Sequence, residues 1–196
     1  MSVMEEALAV TLRVIGVLDR LEVPYVVGGS IASSIYGKPR ATQDVDVVAD
    51  LRDEHIPGFV ADLADDFYLD EPAIRDAVRR RATFNVIHLN TMFKVDVFVA
   101  KHDAATTQEL ARRRPYIPPQ SGGTEISLAS PEDTVVQKLY WYRLGDHVSE
   151  RQWTDAMGVL TVRGNDLDRE YMHDLAAEMG VDDLLIRAFH DAGLES

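Results

Sequence analysis

Two short runs constrain this chain more than anything else in it. Asp44-Val45-Asp46-Val47-Val48 and Phe93-Lys94-Val95-Asp96-Val97-Phe98 alternate polar with apolar residues, which is the period of a β-strand with one buried face. On such strands Asp44 and Asp46 share one face while Val45 and Val47 share the other; Lys94 and Asp96 oppose Val95 and Val97 in the same way. A sheet of this kind needs helices to cover its valine face.

The rest of the sequence supplies them. Met4, Ala7, Leu8, Val14, Ile15, Leu18 and Leu21 recur at helical spacing, and Pro24 ends that pattern. Tyr25-Val26-Val27 reads as a short buried strand, broken by Gly28-Gly29-Ser30 and followed by a helix over Ile31–Tyr36. Helical spacing returns over Ile56–Phe67 and Pro72–Arg81. Thr83–Leu89 and Phe93–Val99 read as a hairpin turning at Asn90-Thr91. After a helix near Ala104–Arg113, Pro115, Pro118, Pro119 and Gly122-Gly123 mark an irregular stretch. From Ser130 the pattern is purely helical. Ser130-Pro131-Glu132-Asp133 combines an N-cap, a first-turn proline and an acid three residues on, and Ser149 with Gln152 repeats the capping-box spacing. Helix breaks fall near Gly164-Asn165 and Gly180. The expected architecture is α/β (α+β): a mixed sheet flanked by helices over residues 1–129, then a helical domain over 130–196.

Composition narrows the function classes. At 196 residues, 46% hydrophobic and 27% charged, the chain has the balance of a globular protein. No stretch approaches ~18 uninterrupted apolar residues, and Glu5 and Glu6 stand where a leader would be basic. With no cysteine, thiol chemistry and cysteine-ligated zinc are excluded, and the cytoplasm is the expected compartment. A net charge of −13, from 33 acidic and 20 basic residues, weighs against phosphate-rich partners. Arg79-Arg80-Arg81 and Arg112-Arg113-Arg114 are the local exceptions. They read as helix-ending cations, with RNA contact as the other reading.

Asp44 and Asp46 lie roughly 6.5 Å apart along a strand. Two carboxylates brought to ~4 Å repel by about 4 kcal/mol at an effective dielectric of ~20. A divalent cation relieves that repulsion, and magnesium accepts sparse carboxylate ligation completed by substrate phosphates. If the strand carrying Asp96 lies beside that of Asp44 and Asp46, three carboxylates converge, enough for two metals about 3.5–4 Å apart. The Gly28-Gly29-Ser30 turn lets backbone approach a polyphosphate at the start of the next helix.

This constellation resembles the DNA polymerase β-type nucleotidyltransferases, which carry an apolar-Gly-Gly/Ser turn, then Asp-x-Asp/Glu, then a later acid on an apolar strand. Gly28-Gly29-Ser30, Asp44, Asp46 and Asp96 match in order and spacing. Lys94, two residues before Asp96, is similar to the minimal bacterial branch that includes the abortive-infection AbiEii-type toxins. So are Asp133 with Lys138, and Arg151-Gln152-Trp153-Thr154-Asp155, although Gln152 replaces that branch's aspartate. The resemblance implies that Asp44, Asp46 and Asp96 ligate Mg2+ or Mn2+, with Asp96 at or beside the base. It further implies that Gly28, Gly29, Ser30, Arg40 and Lys94 hold the NTP. The implied reaction moves NMP to a hydroxyl of RNA, protein or an aminoglycoside-like small molecule, in a toxin–antitoxin or phage-defence setting with a cognate protein partner. The alternative is a catalytically silent nucleotide-binding module of the same fold.

Plainer readings stand beside these. Lys94 is also an ordinary half-exposed strand lysine. Asp133 reads as a capping acid, Lys138 as a surface lysine or a functional one, and Arg151 with Asp155 as an i, i+4 surface pair. Tyr140, Trp141, Tyr142 and Trp153 read as helix-packing core rather than a base-stacking set. The six histidines show no ligand spacing.

Overall fold

The computed structural model describes residues 3–42, 44–119 and 121–194. The side chain of Met4, expected on the apolar stripe of the first helix, lies outside the described ones. In chain order the elements are α1 (Val3–Arg20), β1 (Tyr25–Val27), α2 (Gly29–Tyr36), β2 (Asp44–Ala49), α3 (Ile56–Leu63), β3 (Phe67–Tyr68), α4 (Glu71–Arg80), β4 (Thr83–His88), β5 (Lys94–Val99), α5 (Ala104–Arg112), β6 (Arg114–Tyr116), β7 (Ile126–Leu128), α6 (Pro131–Leu144), α7 (Glu150–Arg163), α8 (Arg169–Glu178) and α9 (Asp182–Asp191). They form two units: Met1–Gly28 with Ala41–Leu128, and Gly29–Arg40 with Ala129–Ser196.

The first unit holds a mixed sheet whose described strands run in the order β3-β4-β5-β2-β1-β7-β6. β2 and β5 are parallel, with Asp44 opposite Lys94 and Asp46 opposite Asp96. β4 is antiparallel to β5, and β1 antiparallel to β2. Both central strands alternate half-exposed and buried residues along their length. Val45, Val47, Val95 and Val97 are fully buried together with Ile15 and Leu18 of α1 and Phe59 and Leu63 of α3. Phe59 meets Phe84 edge-on at 6.0 Å, the favoured geometry for two ring quadrupoles. Asp70 caps α4 by accepting from the Ala73 amide, and Arg81 ends it in a left-handed conformation with φ 51°.

Two expectations about this unit are corrected. The helix over Ile56–Phe67 stops at Leu63, and Phe67 pairs with His88 as strand. The Pro115 region is not wholly irregular: Arg114–Tyr116 pairs antiparallel with Ile126–Leu128. Pro115 is tolerated because β6 is the sheet's edge, where a missing N–H breaks no ladder.

In the second unit, α2 groups with α6–α9 rather than with the sheet it follows in sequence. A Cβ on Gly37 would lie 2.7 Å from the Gly158 carbonyl carbon and from Val159 N, so glycine permits the close approach of α2 to α7. Ser130 caps α6 as expected. Its hydroxyl accepts from the Asp133 amide at 3.0 Å and donates to the Asp133 carboxylate at 2.6 Å. Asp133 also accepts from Tyr171 at 2.6 Å. The Ser149–Gln152 capping box does not form, since Ser149 makes no side-chain cap and Gln152 Oε1 is buried without a hydrogen-bond partner among the described residues.

Candidate active site

Because β2 and β5 are parallel and in register, residues directly opposite share a face. Asp44, Asp46, Lys94 and Asp96 therefore stand together on the half-exposed face of the first unit. Lys94 Nζ lies 2.7 Å from Asp96 Oδ2. Its pKa is raised, chiefly by the hydrogen bond to Asp96; partial burial opposes the rise, and the charges of Asp96, Asp44 and Asp46 add to it. Thr42 donates its hydroxyl to Asp44 Oδ1 at 2.8 Å, and Gly28 N–H donates to the Asp46 carbonyl at 2.9 Å, tying the glycine turn to β2.

This donor set is all hard oxygen, which suits Mg2+ or Mn2+ and no softer metal. Among the described residues no three acidic or histidine side chains are arranged to hold an ion by themselves. Magnesium takes one or two carboxylates and completes its shell with water and phosphate, and Asp44 and Asp46 offer two on one strand face. The residues fit the group on those terms. A Cβ on Gly28 would meet no atom within 4 Å, which leaves its backbone open to close approach. Gly29 has φ 55° and needs glycine for that conformation.

The second unit contains a different cluster. Arg40 donates Nε and Nη2 to Asp155 Oδ1 and Oδ2, both at 2.8 Å, and Nη2 also reaches Ser30 Oγ at 2.6 Å. Lys138 Nζ lies 2.9 Å from Asp155 Oδ2, with side-chain exposures of 6% and 5%. Burial pushes the Asp155 carboxyl up, but hydrogen bonds from Arg40 and Lys138 outweigh it and hold the group below its ordinary value. Two local expectations fail here. Lys138 is buried, not a surface lysine, and Asp155 pairs with Arg40 and Lys138 rather than with Arg151.

Of the residues singled out from sequence, the first unit brings together Asp44, Asp46, Asp96 and Lys94, with Gly28 bonded to β2. The second brings Ser30 to Arg40, with Gly29 opening α2. Sequence reasoning missed Thr42 and Asn85, the residue opposite Asp96 on β4. Only strand register reveals Asn85.

The architecture has solved counterparts. Over 93% of this chain and 96% of its own, the antibiotic-resistance factor ANT(2'')-Ia superposes with a TM-score of 0.53 at 15% identity. The same factor in complex with adenylyl-2''-tobramycin gives 0.54 at 16% identity, covering 87% of this chain and 95% of its own. An antigenic nucleotidyltransferase-like protein from Paracoccidioides brasiliensis gives 0.53 at 15%, over 93% and 90%. The chain has the nucleotidyltransferase fold. No protein-family model matches it, and no curated protein sequence does. At these identities the likeness is one of fold, and residue roles rest on this chain's own geometry.

Proposed function

We propose that this protein is a nucleotidyltransferase that moves NMP from an NTP to a hydroxyl group of a small molecule. What carries the reading is the register of β2 against β5, which sets Asp44, Asp46 and Asp96 on one face with Lys94, whose ammonium pairs with Asp96. When bound there, a divalent cation supplies charge neutralisation at the phosphates and at the attacking and leaving oxygens. The protein's residues do the rest. Asp44 and Asp46 hold the cation. Asp96 takes the proton from the acceptor hydroxyl as that hydroxyl's oxygen bonds to the α-phosphorus and pyrophosphate leaves. Gly28, bonded to β2 through its N–H and free of any atom where a Cβ would stand, leaves backbone open to the phosphates of the NTP. Lys94 offsets charge on the departing pyrophosphate.

The charge of −13 weighs against an RNA acceptor, whose phosphates it repels. The ANT(2'')-Ia structure with adenylyl-2''-tobramycin is a precedent for this fold beside an adenylylated small molecule. The Lys94–Asp96 ion pair also suits a second reading, a silent module in which lysine neutralises the acids.

The test presents α-labelled NTPs one at a time, with Mg2+ or Mn2+, to an aminoglycoside panel, a small-molecule extract, RNA and protein. Asp44→Ala/Asp46→Ala runs alongside. Label in the small-molecule fraction that vanishes in the variant is expected. NTP binding without label in any fraction selects the silent module.

A further inference from the structure

The acid face does not end at Asp96. β4 pairs antiparallel with β5, setting Asn85 opposite Asp96 and Ile87 opposite Lys94. β3 continues that row with Tyr68 opposite Ile87. These side chains share the face of the three carboxylates. Asn85 is exposed, Ile87 half-exposed and Tyr68 59% exposed. At 4.7–4.9 Å per strand, the surface from Asp96 out to β3 spans roughly 10 Å.

Three properties of this surface bear on function. Asparagine is disfavoured in strand interiors, where β-branched residues pack better, yet Asn85 sits mid-strand with its amide unpartnered among the described residues. Beyond Lys94 the row Ile87, Tyr68 and its neighbours Asn85 and Thr83 carries no charge. Leu89 and Met92, 51% and 69% exposed, add an apolar lip at the turn joining β4 to β5. A polyanion needs lysines or arginines along its path, and this path offers an amide, a phenol and apolar surface instead.

Resting on the proposed transferase reading, we propose that Asn85 is the acceptor-positioning residue, with the small-molecule acceptor lying over β4 and β3. Opposed Cβ atoms on paired strands are about 4.5–5.5 Å apart. With the reacting hydroxyl at Asp96, the Asn85 amide reaches the substituent on the adjacent carbon. The amide both donates and accepts, so it reads a neighbouring hydroxyl or amine. Tyr68 and Ile87 underlie the rest of the acceptor. Asn85 touches no proton that moves; it fixes which hydroxyl meets Asp96.

The test is steady-state transfer from α-labelled ATP to aminoglycoside pairs that differ by a single hydroxyl, with RNA and protein as further acceptors, by wild type and Asn85→Val. Valine suits a strand better than asparagine, so thermal unfolding of Asn85→Val should be no earlier than wild type. Its acceptor KM should rise about tenfold or more, the loss of one well-placed hydrogen bond, with the KM for ATP unchanged. Wild type should discriminate against the acceptor lacking the adjacent hydroxyl, and Asn85→Val should not. An unchanged acceptor KM, or equal rises for acceptor and ATP, overturns the role of Asn85 while leaving the transferase reading intact. Label entering RNA or protein alone overturns the acceptor class. No transfer by wild type to any acceptor removes the transferase reading and this inference with it.

Discussion

The two charge clusters of this molecule are built on opposite arithmetic. On β2 and β5, three carboxylates and one ammonium stand on a half-exposed face, the ammonium paired with Asp96. Among α2, α6, α7 and the residues after α2, two cations share one carboxylate with side-chain exposures of 5–6% at Asp155 and Lys138. Water screens the first, so like charges can be kept close at modest cost and released to a cation. The second has little water to rely on. Its charges are held by bidentate geometry, and removing one leaves the others buried without compensation. An acid surplus open to solvent is suited to recruiting a ligand; a buried cation surplus is suited to holding side chains in place.

The largest contrast should come from deleting acids in each cluster. Asp44→Ala/Asp46→Ala should lower nucleotidyl transfer by on the order of 10³ or more, yet thermal unfolding should not come earlier, because repulsion is relieved. Asp155→Ala should do the reverse to stability. It strands Arg40 and Lys138 and should cost about 3–5 kcal/mol by urea unfolding followed through the tryptophans of the helical unit. An Asp155→Ala protein as stable as wild type would mean that the buried cluster is not structural.

The difference in legibility between the clusters follows from the same geometry. Asp44, Asp46, Lys94 and Asp96 could be read because each pair lies within three residues on a strand, where a period of two fixes the face. The partnership of Arg40 with Asp155 spans 115 residues, and no local period encodes it. Sequence spacing offers Arg151 as the partner of Asp155 because i, i+4 is all a helix displays locally. Lys138 reads as surface since lysine usually is, and only its burial against Asp155 corrects that. Asn85 stayed hidden for another reason. Its significance lies in the β4–β5 register, which a slip of one residue would turn to the other face. Strands β6 and β7 leave no mark in the sequence because three residues are too few to show alternation, and Pro115 argues locally for a loop. The grouping of α2 with the helical unit follows from the Gly37–Gly158 approach, which no composition shift marks.

Lys94 separates the two kinds of charge more gently. It is 42% exposed, so Lys94→Met should change stability by less than about 1 kcal/mol. Removing the one ammonium from a three-carboxylate face should tighten Mn2+ binding in the absence of nucleotide by several-fold, the size expected for a single charge a few ångströms away in a partly solvated site. Weaker Mn2+ binding in Lys94→Met would show that the lysine organises the acids rather than competing with the ion.

The smallest effect tests an intermediate case. Asp50, at the far end of β2 from Asp44, is cation-rich like the buried cluster but open to water like the acid face. It accepts from Arg52 at 2.7 Å and Arg81 at 3.0 Å, with His102 at 3.4 Å. Burial alone would raise its pKa, but the hydrogen bonds from Arg52, Arg81 and His102 prevail and bring it down to about 2. A carboxyl depressed in the folded state contributes stability that is complete above its unfolded value of about 4 and is lost as pH falls through the folded one. The window therefore runs from pH 4 down to 2. Arg52 and His102 are mostly solvent-exposed, so the contribution should be about 1 kcal/mol once screening is allowed for. Urea midpoints of wild type and Asp50→Asn across pH 2–5 should converge as the pH drops, with wild type losing the more. Parallel curves would place Asp50 with the screened acids of the other end of the strand, and its three cations would then be bystanders.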